Sequence, residues 1–120
     1  MTEQHSATPI DPADLPQVII TFLAAQQAHD AETAISLFLP DAVVTDEGHD
    51  FHGDDKIRDW IAKAASDFTY TTELTGAFRL DATHYDVIHH LEGDFPGGVV
   101  DLHFRFAMRD DLIQTLTIEP

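Results

Sequence analysis

A chain of 120 residues, 43% hydrophobic and 9% aromatic, has the length of one domain and enough apolar surface to bury a core, which excludes a disordered chain. Twenty-two acidic residues against six basic ones leave a formal charge of −16, which repels phosphate backbones and anionic lipid and so argues against nucleic acid and membrane as partners. There is no cysteine, so disulfides and thiolate metal sites are excluded.

Met1 to Asp11 lacks the basic region and apolar run of a secretory signal and reads as a flexible tail on a single domain spanning residues 1–120. No apolar run approaches the roughly 18 residues of a spanning helix, so the chain is expected to be soluble and cytoplasmic. Asp11-Pro12 opens a first helix, with an acid to cap and proline at the first helical position. Leu15, Val18, Ile19, Phe22 and Gln26 follow helical spacing, and this helix ends near Ala28. Asp30 caps a shorter second helix with the stripe Ala31, Ala34, Ile35 and Phe38, and Pro40 stops it.

Ala42 to Asp46 is a short β-prone run. Gly48 to Gly53 is a turn or ragged edge strand, and Asp54 or Asp55 caps a third helix with the stripe Ile57, Trp60, Ile61, Ala64 and Phe68. From Thr69 the period changes to two. Tyr70, Thr72, Leu74, Phe78 and Leu80 share one face, and Thr71, Glu73, Thr75 and Arg79 share the other. Runs over Thr83 to Glu92, Gly98 to Arg109 and Leu112 to Glu119 follow, joined by turns at Asp81-Ala82, Gly93 to Gly98 and Asp110-Asp111. These strands are expected to be antiparallel, giving an α+β layout with three N-terminal helices laid on one face of a curved, mostly antiparallel sheet.

That order, with "AISLFLPDAVVTDEGHDFHGDDKIRDWI" and "VVDLHFRFAMRDDLIQTLTIEP", resembles the SnoaL-like, ketosteroid isomerase-like group of the nuclear transport factor 2-like superfamily over roughly Leu15 to Pro120. The resemblance implies the cone-shaped, cystatin-like fold of that superfamily, with an apolar pocket for a small hydrophobic molecule and a homodimer through the outer sheet face. That face would include Glu73, Arg79, Asp101, His103 and Arg105. Phe22, Trp60, Tyr70, Leu102, Phe104 and Phe106 are the candidate pocket residues.

Matched to the isomerases of the group, "DAVVTD" ends on Asp46 at the place of the general base. A carboxylate at a strand end inside an apolar cavity loses hydration and gains proton affinity, which suits it to proton transfer at carbon. As an Asx residue it equally suits a cap on the following turn. The tyrosine and the protonated acid that serve the enolate oxygen in those isomerases are replaced here by Phe22 and Leu102. This disfavours steroid isomerisation by that route. His49 and His52 lie beside Asp46, and one of His89 and His90 must point inward; His89 shares the more apolar face with Val87 and Tyr85. His49 and His89 are therefore the candidate partners of Asp46 in acid–base work.

His49 and His52 with Asp46 or Asp50 offer metal donors, but H-x-x-H in an irregular turn is not a recognised ligand pattern, so no metal or other cofactor is assigned. Ser6, Ser36 and Ser66 have no nucleophile-elbow context. Two functional readings stand: proton-transfer chemistry of isomerase, cyclase or dehydratase type with Asp46 as base, and a non-catalytic ligand-binding or dimerisation module. Whether the chain is an enzyme stays open at this point.

Overall fold

Two prolines set the start of the first helix. In the computed structural model of the chain, which describes residues 7–67 and 70–120 with side chains 64–67 left out, Asp11-Pro12 opens only a 3-10 turn, Pro12–Asp14, capped by Asp11 Oδ1 accepting from Ala13 N at 2.9 Å. Pro16 is extended, with ψ 140°, and helix α1 begins after it, at Gln17–Gln27. Ile19, Phe22, Leu23 and Ala25 form its buried stripe.

The exit from α1 is a Schellman turn: Asp30 N donates to Ala25 O at 2.8 Å, and His29 N to Gln26 O at 3.1 Å. His29 takes the left-handed position with φ 56°. Asp30 then caps α2, Ala31–Ser36, by accepting from Thr33 N and Thr33 Oγ1. This helix ends before Phe38, contrary to the expectation that Pro40 stops it. Strand β2, Phe38–Asp46, takes over because Leu37 O and Phe38 are drawn alongside Ile113 of the last strand. Pro40 lies in the unpaired stretch between Phe38 and Val43, where its missing N–H breaks no ladder bond.

Of the turn or edge strand expected over Gly48 to Gly53, the edge strand forms: β3, His49–His52, folds back on β2. Helix α3, Gly53–Asp67, starts earlier than expected, so Asp54 and Asp55 sit in its first turn, favourable against the positive helix end, instead of capping it. Ile57, Trp60 and Ile61 are buried as the stripe requires; Ala64 and Phe68 lie outside the described side chains.

The remaining strands are β4 (Tyr70–Arg79), β5 (His84–Gly93), β6 (Val99–Arg109) and β7 (Leu112–Glu119). Thr8–Pro9, within the segment read as a tail, forms a short strand β1 against Phe78 and Arg79. The curved sheet runs β1-β4-β5-β6-β7-β2-β3; the meander is antiparallel as expected, and β2 runs parallel to β7. The helices pack on its inner face.

One register shift alters the expected pattern of β4. Thr75 is a bulge between Leu74, opposite His89, and Gly76, opposite Ile88. The extra residue reverses the alternation beyond it. Ala77, opposite Val87, is therefore buried, while Phe78 turns to the outer face and Arg79 leaves the outer set that included Glu73. The Phe78 ring lies 3.0 Å from where a Cβ on Gly76 would stand, so that glycine makes room for it.

Rungs across the sheet show where the core closes. Val44, Leu116 and Phe106 make one inner rung, and Ile118, Phe104, Val87 and Ala77 the next, nearly all of it sealed from solvent. Phe22 meets Phe38 and Phe106 edge to face, with ring centroids 5.4 and 5.8 Å apart. Beyond that rung Leu74 and Leu102, then Thr72, Leu91 and Val100, are only part-buried, and Tyr70 is 36% exposed. The inner face is closed at one end and open at the other.

A left-handed His29 costs about 1–2 kcal/mol that glycine does not incur, part of which the freer unfolded glycine chain offsets. His29→Gly is expected to stabilise the protein by about 0.5–1 kcal/mol. Urea unfolding checks this; a midpoint at or below wild type would show that His29 makes compensating contacts.

Candidate active site

Asp46 and His49 are brought together by a tight turn. Glu47 and Gly48, both with positive φ (54° and 77°), form the two-residue connection of the β2–β3 hairpin, a pattern of type I′ turns. Asp46 and His49 are the pair that closes it, so their side chains share the inner side. The acid and histidine run therefore marks a hairpin whose first residue is at the boundary between closed core and open end. On the neighbouring strands Asp46 shares its rung with Ile118 and Phe104.

Helix α3 supplies the partner. Trp60 is buried, and its indole Nε1 donates to Asp46 Oδ2 at 2.9 Å. A buried indole N–H needs an acceptor, and the nearby acid provides one. Burial raises the proton affinity of Asp46; the Trp60 hydrogen bond, the Glu47 backbone N–H and the His49 charge pull the other way without cancelling it. Tyr70, across the open end, has its phenol pushed up by burial and then by the Asp46 charge, which places the two groups within electrostatic reach. Phe51 packs near Trp60, with ring centroids 6.5 Å apart.

His49 is exposed and turns back on its own hairpin, Nδ1 lying 3.2 Å from Glu47 O. His89 is the one buried polar or charged side chain among the described residues, 2% exposed, as its inward assignment requires. Its ring leans on Phe104 with centroids 4.6 Å apart, and its cross-strand neighbours are Leu74 and Leu102. Nδ1 is buried and has no hydrogen-bond partner among the described residues. Desolvation lowers the His89 pKa from 6.5 to about 4, so the ring is neutral at physiological pH.

The candidate pocket residues divide. Trp60, Tyr70, Leu102 and Phe104 surround the boundary rung or the open end. Phe22 and Phe106 are enclosed at the sealed end, where they pack edge to face, and belong to the core. Trp60 does more than line a wall, because it anchors Asp46. Pleating places His52 and Asp50 on the opposite side of β3 from His49, and Asp50 is held by Thr45 Oγ1 at 2.7 Å. Among the described residues no three His, Asp or Glu side chains gather as metal ligands.

The outer sheet face is a ladder of polar and charged pairs. His90 lies between Asp101 (2.6 Å) and Glu92 (2.8 Å), His103 meets Asp86 at 2.8 Å, and Arg105 joins Glu119. A shallow hollow of about 270 Å³ beside Arg105, lined also by Leu80, His84, Thr115 and Thr117, is on this outer side, away from Asp46.

The SnoaL-like domain matches residues 19–116 of the chain. A candidate polyketide cyclase from Sinorhizobium meliloti is similar in structure, with a TM-score of 0.84 and 30% identity, covering 92% of this chain and 100% of its own. A Catenulispora acidiphila protein with a ketosteroid isomerase-like fold, solved with trimethylamine, has a TM-score of 0.75 at 19% identity over 88% of this chain and 85% of its own. A Mycobacterium tuberculosis protein in complex with estradiol-17β-hemisuccinate has a TM-score of 0.71 at 18% identity, over 87% and 91%. No curated protein matches the chain in sequence. Among the described residues no helix is long and apolar enough to cross a membrane.

Because His89 binds its proton less readily folded than unfolded, its contribution to stability is complete above about pH 6.5 and is lost as pH falls towards 4. Leu74, Leu102 and Phe104 offer no charge to offset this. Denaturant unfolding between pH 7 and 4 is expected to show a smaller loss of stability in His89→Phe than in wild type, and equal losses would mean the ring is not held neutral.

Proposed function

Since the chain belongs to the SnoaL-like domain family, we propose that it binds a small hydrophobic molecule at the open end of the inner sheet face and that Asp46 acts there as a general base. The chemistry is proton transfer at carbon, of isomerase, cyclase or dehydratase type, in the cytoplasm. The observation that carries this reading is the half-buried Asp46 carboxylate, raised in proton affinity and fixed by the Trp60 indole where the closed core meets the open end. The Sinorhizobium relative, a candidate cyclase, and the steroid held by the Mycobacterium protein support an apolar ligand and this class of reaction.

In this mechanism ionised Asp46 takes a proton from a carbon next to a carbonyl and returns it elsewhere on the same molecule. Trp60 positions the carboxylate, and Tyr70 on the opposite side of the opening faces the ligand's polar edge. His49, next to Asp46 on the hairpin, exchanges the proton with solvent. A second reading, ligand binding without turnover, is favoured by the apolar Phe22 and Leu102, which occupy the places of the isomerases' oxygen-binding groups.

Deuterium uptake from D₂O into the methyl group of 2-acetylnaphthalene, followed by mass spectrometry, distinguishes these readings. Wild type is expected to accelerate exchange, and Asp46→Asn to reduce that rate by about 10²–10⁴-fold. A full rate in the variant removes Asp46 from the chemistry. Binding of the ketone by wild type without exchange selects the second reading.

We also propose a homodimer through the outer sheet face around Glu73, Asp101, His103 and Arg105; the Thr75 bulge takes Arg79 out of that set. Analytical ultracentrifugation at micromolar concentration is expected to give a dimer, reduced to monomer by Arg105→Glu. A wild-type monomer rejects the interface.

A further inference from the structure

His89 stands apart from every other polar side chain described. Its neighbours on the inner face are Leu74, Leu102, Val87 and Phe104, and among the described residues nothing hydrogen-bonds Nδ1. A buried polar nitrogen without a partner costs about 1–3 kcal/mol, more than a hydrocarbon of the same shape would cost there. The same row is where the core stops being sealed, since Leu74 and Leu102 on either side are part-buried and the next row is more open. A polar atom at the threshold of an apolar opening suits orientation of a ligand rather than support of the fold.

We propose that His89 is the binding residue for a neutral oxygen, carbonyl or hydroxyl, of an otherwise apolar ligand. The assignment rests on the ligand site proposed above and adds the chemical class of what enters it. Its surroundings carry no cation to balance a carboxylate, and the chain's charge of −16 repels anions, so an uncharged oxygen is the group that fits. Asp46 is three strands away across the Ile118–Phe104 rung and one inner row along it, about 16 Å between backbones, and both side chains point inward from that span, so one molecule of two or three fused rings reaches both.

The test uses three probes of nearly equal shape: 2-acetylnaphthalene, 1-(2-naphthyl)ethanol and the hydrocarbon 2-isopropenylnaphthalene. Wild type is expected to bind the ketone or the alcohol roughly three- to tenfold tighter than the hydrocarbon, and whichever is preferred identifies the oxygen. His89→Phe and His89→Leu are expected to lose that preference while melting no lower than wild type at pH 7. A ¹⁵N shift of His89 Nδ1 on saturation with the preferred probe accompanies binding. Equal affinity for the three probes, no binding of any, a preference that survives both variants, or a lower melting temperature in both overturns the proposal. Asp46→Asn is expected to retain the oxygen preference, so failure of the base assignment and failure of this one are read separately.

Discussion

The hydrogen bond from the Trp60 indole to the Asp46 carboxylate joins the two halves of the architecture. Its donor belongs to the apolar stripe of α3, and its acceptor ends β2 just before a tight turn. Burying the ring without an acceptor, or the carboxylate without a donor, would be costly on each side. Together they tie α3 to the end of β2 and hold one charged group at the edge of an apolar interior. The raised proton affinity of Asp46 follows from that placement, because desolvation outweighs the partners that favour the charge.

The sheet grades from sealed to open along its strands. Phe22, Phe38 and Phe106 close one end by edge-to-face packing, so Phe22 serves as core. At the other end the inner side chains of β4, β5 and β6 keep part of their surface. His89 is at the transition, and its neutrality results from the apolar company it keeps. Polar groups at such a boundary are poorly satisfied by the chain itself, a feature of sites that trade stability for function.

Much of this was legible in the residues. Period-two alternation placed Leu102, Phe104, Phe106 and His89 on one face, and the acid before Glu47-Gly48 was identified as the chemical candidate. The stripe spacing marks Trp60 as buried but does not single out Asp46 as its partner, although a buried indole N–H usually finds an acceptor. The errors share one cause. Spacing alone reads Pro40 as a helix stop and runs the β4 alternation unbroken through Thr75, because local pattern does not register the strand alongside. Pairing with β7 turned Phe38 into strand, and pairing with β5 left Thr75 as a bulge.

The sequence by itself determined the α+β class, the helix and strand faces, the hairpin turns and the inward direction of His89, since these depend on periodicity and on residues with restricted backbone preferences. Only the tertiary structure decided that Phe22 is core, that Arg79 leaves the outer face and that the Asp46 oxygen meets Trp60. It also left His89 Nδ1 without a partner among the described residues. Each of those depends on which groups from distant parts of the chain come into contact, and contact sets desolvation, register and hydrogen bonding in ways that spacing along one segment does not encode.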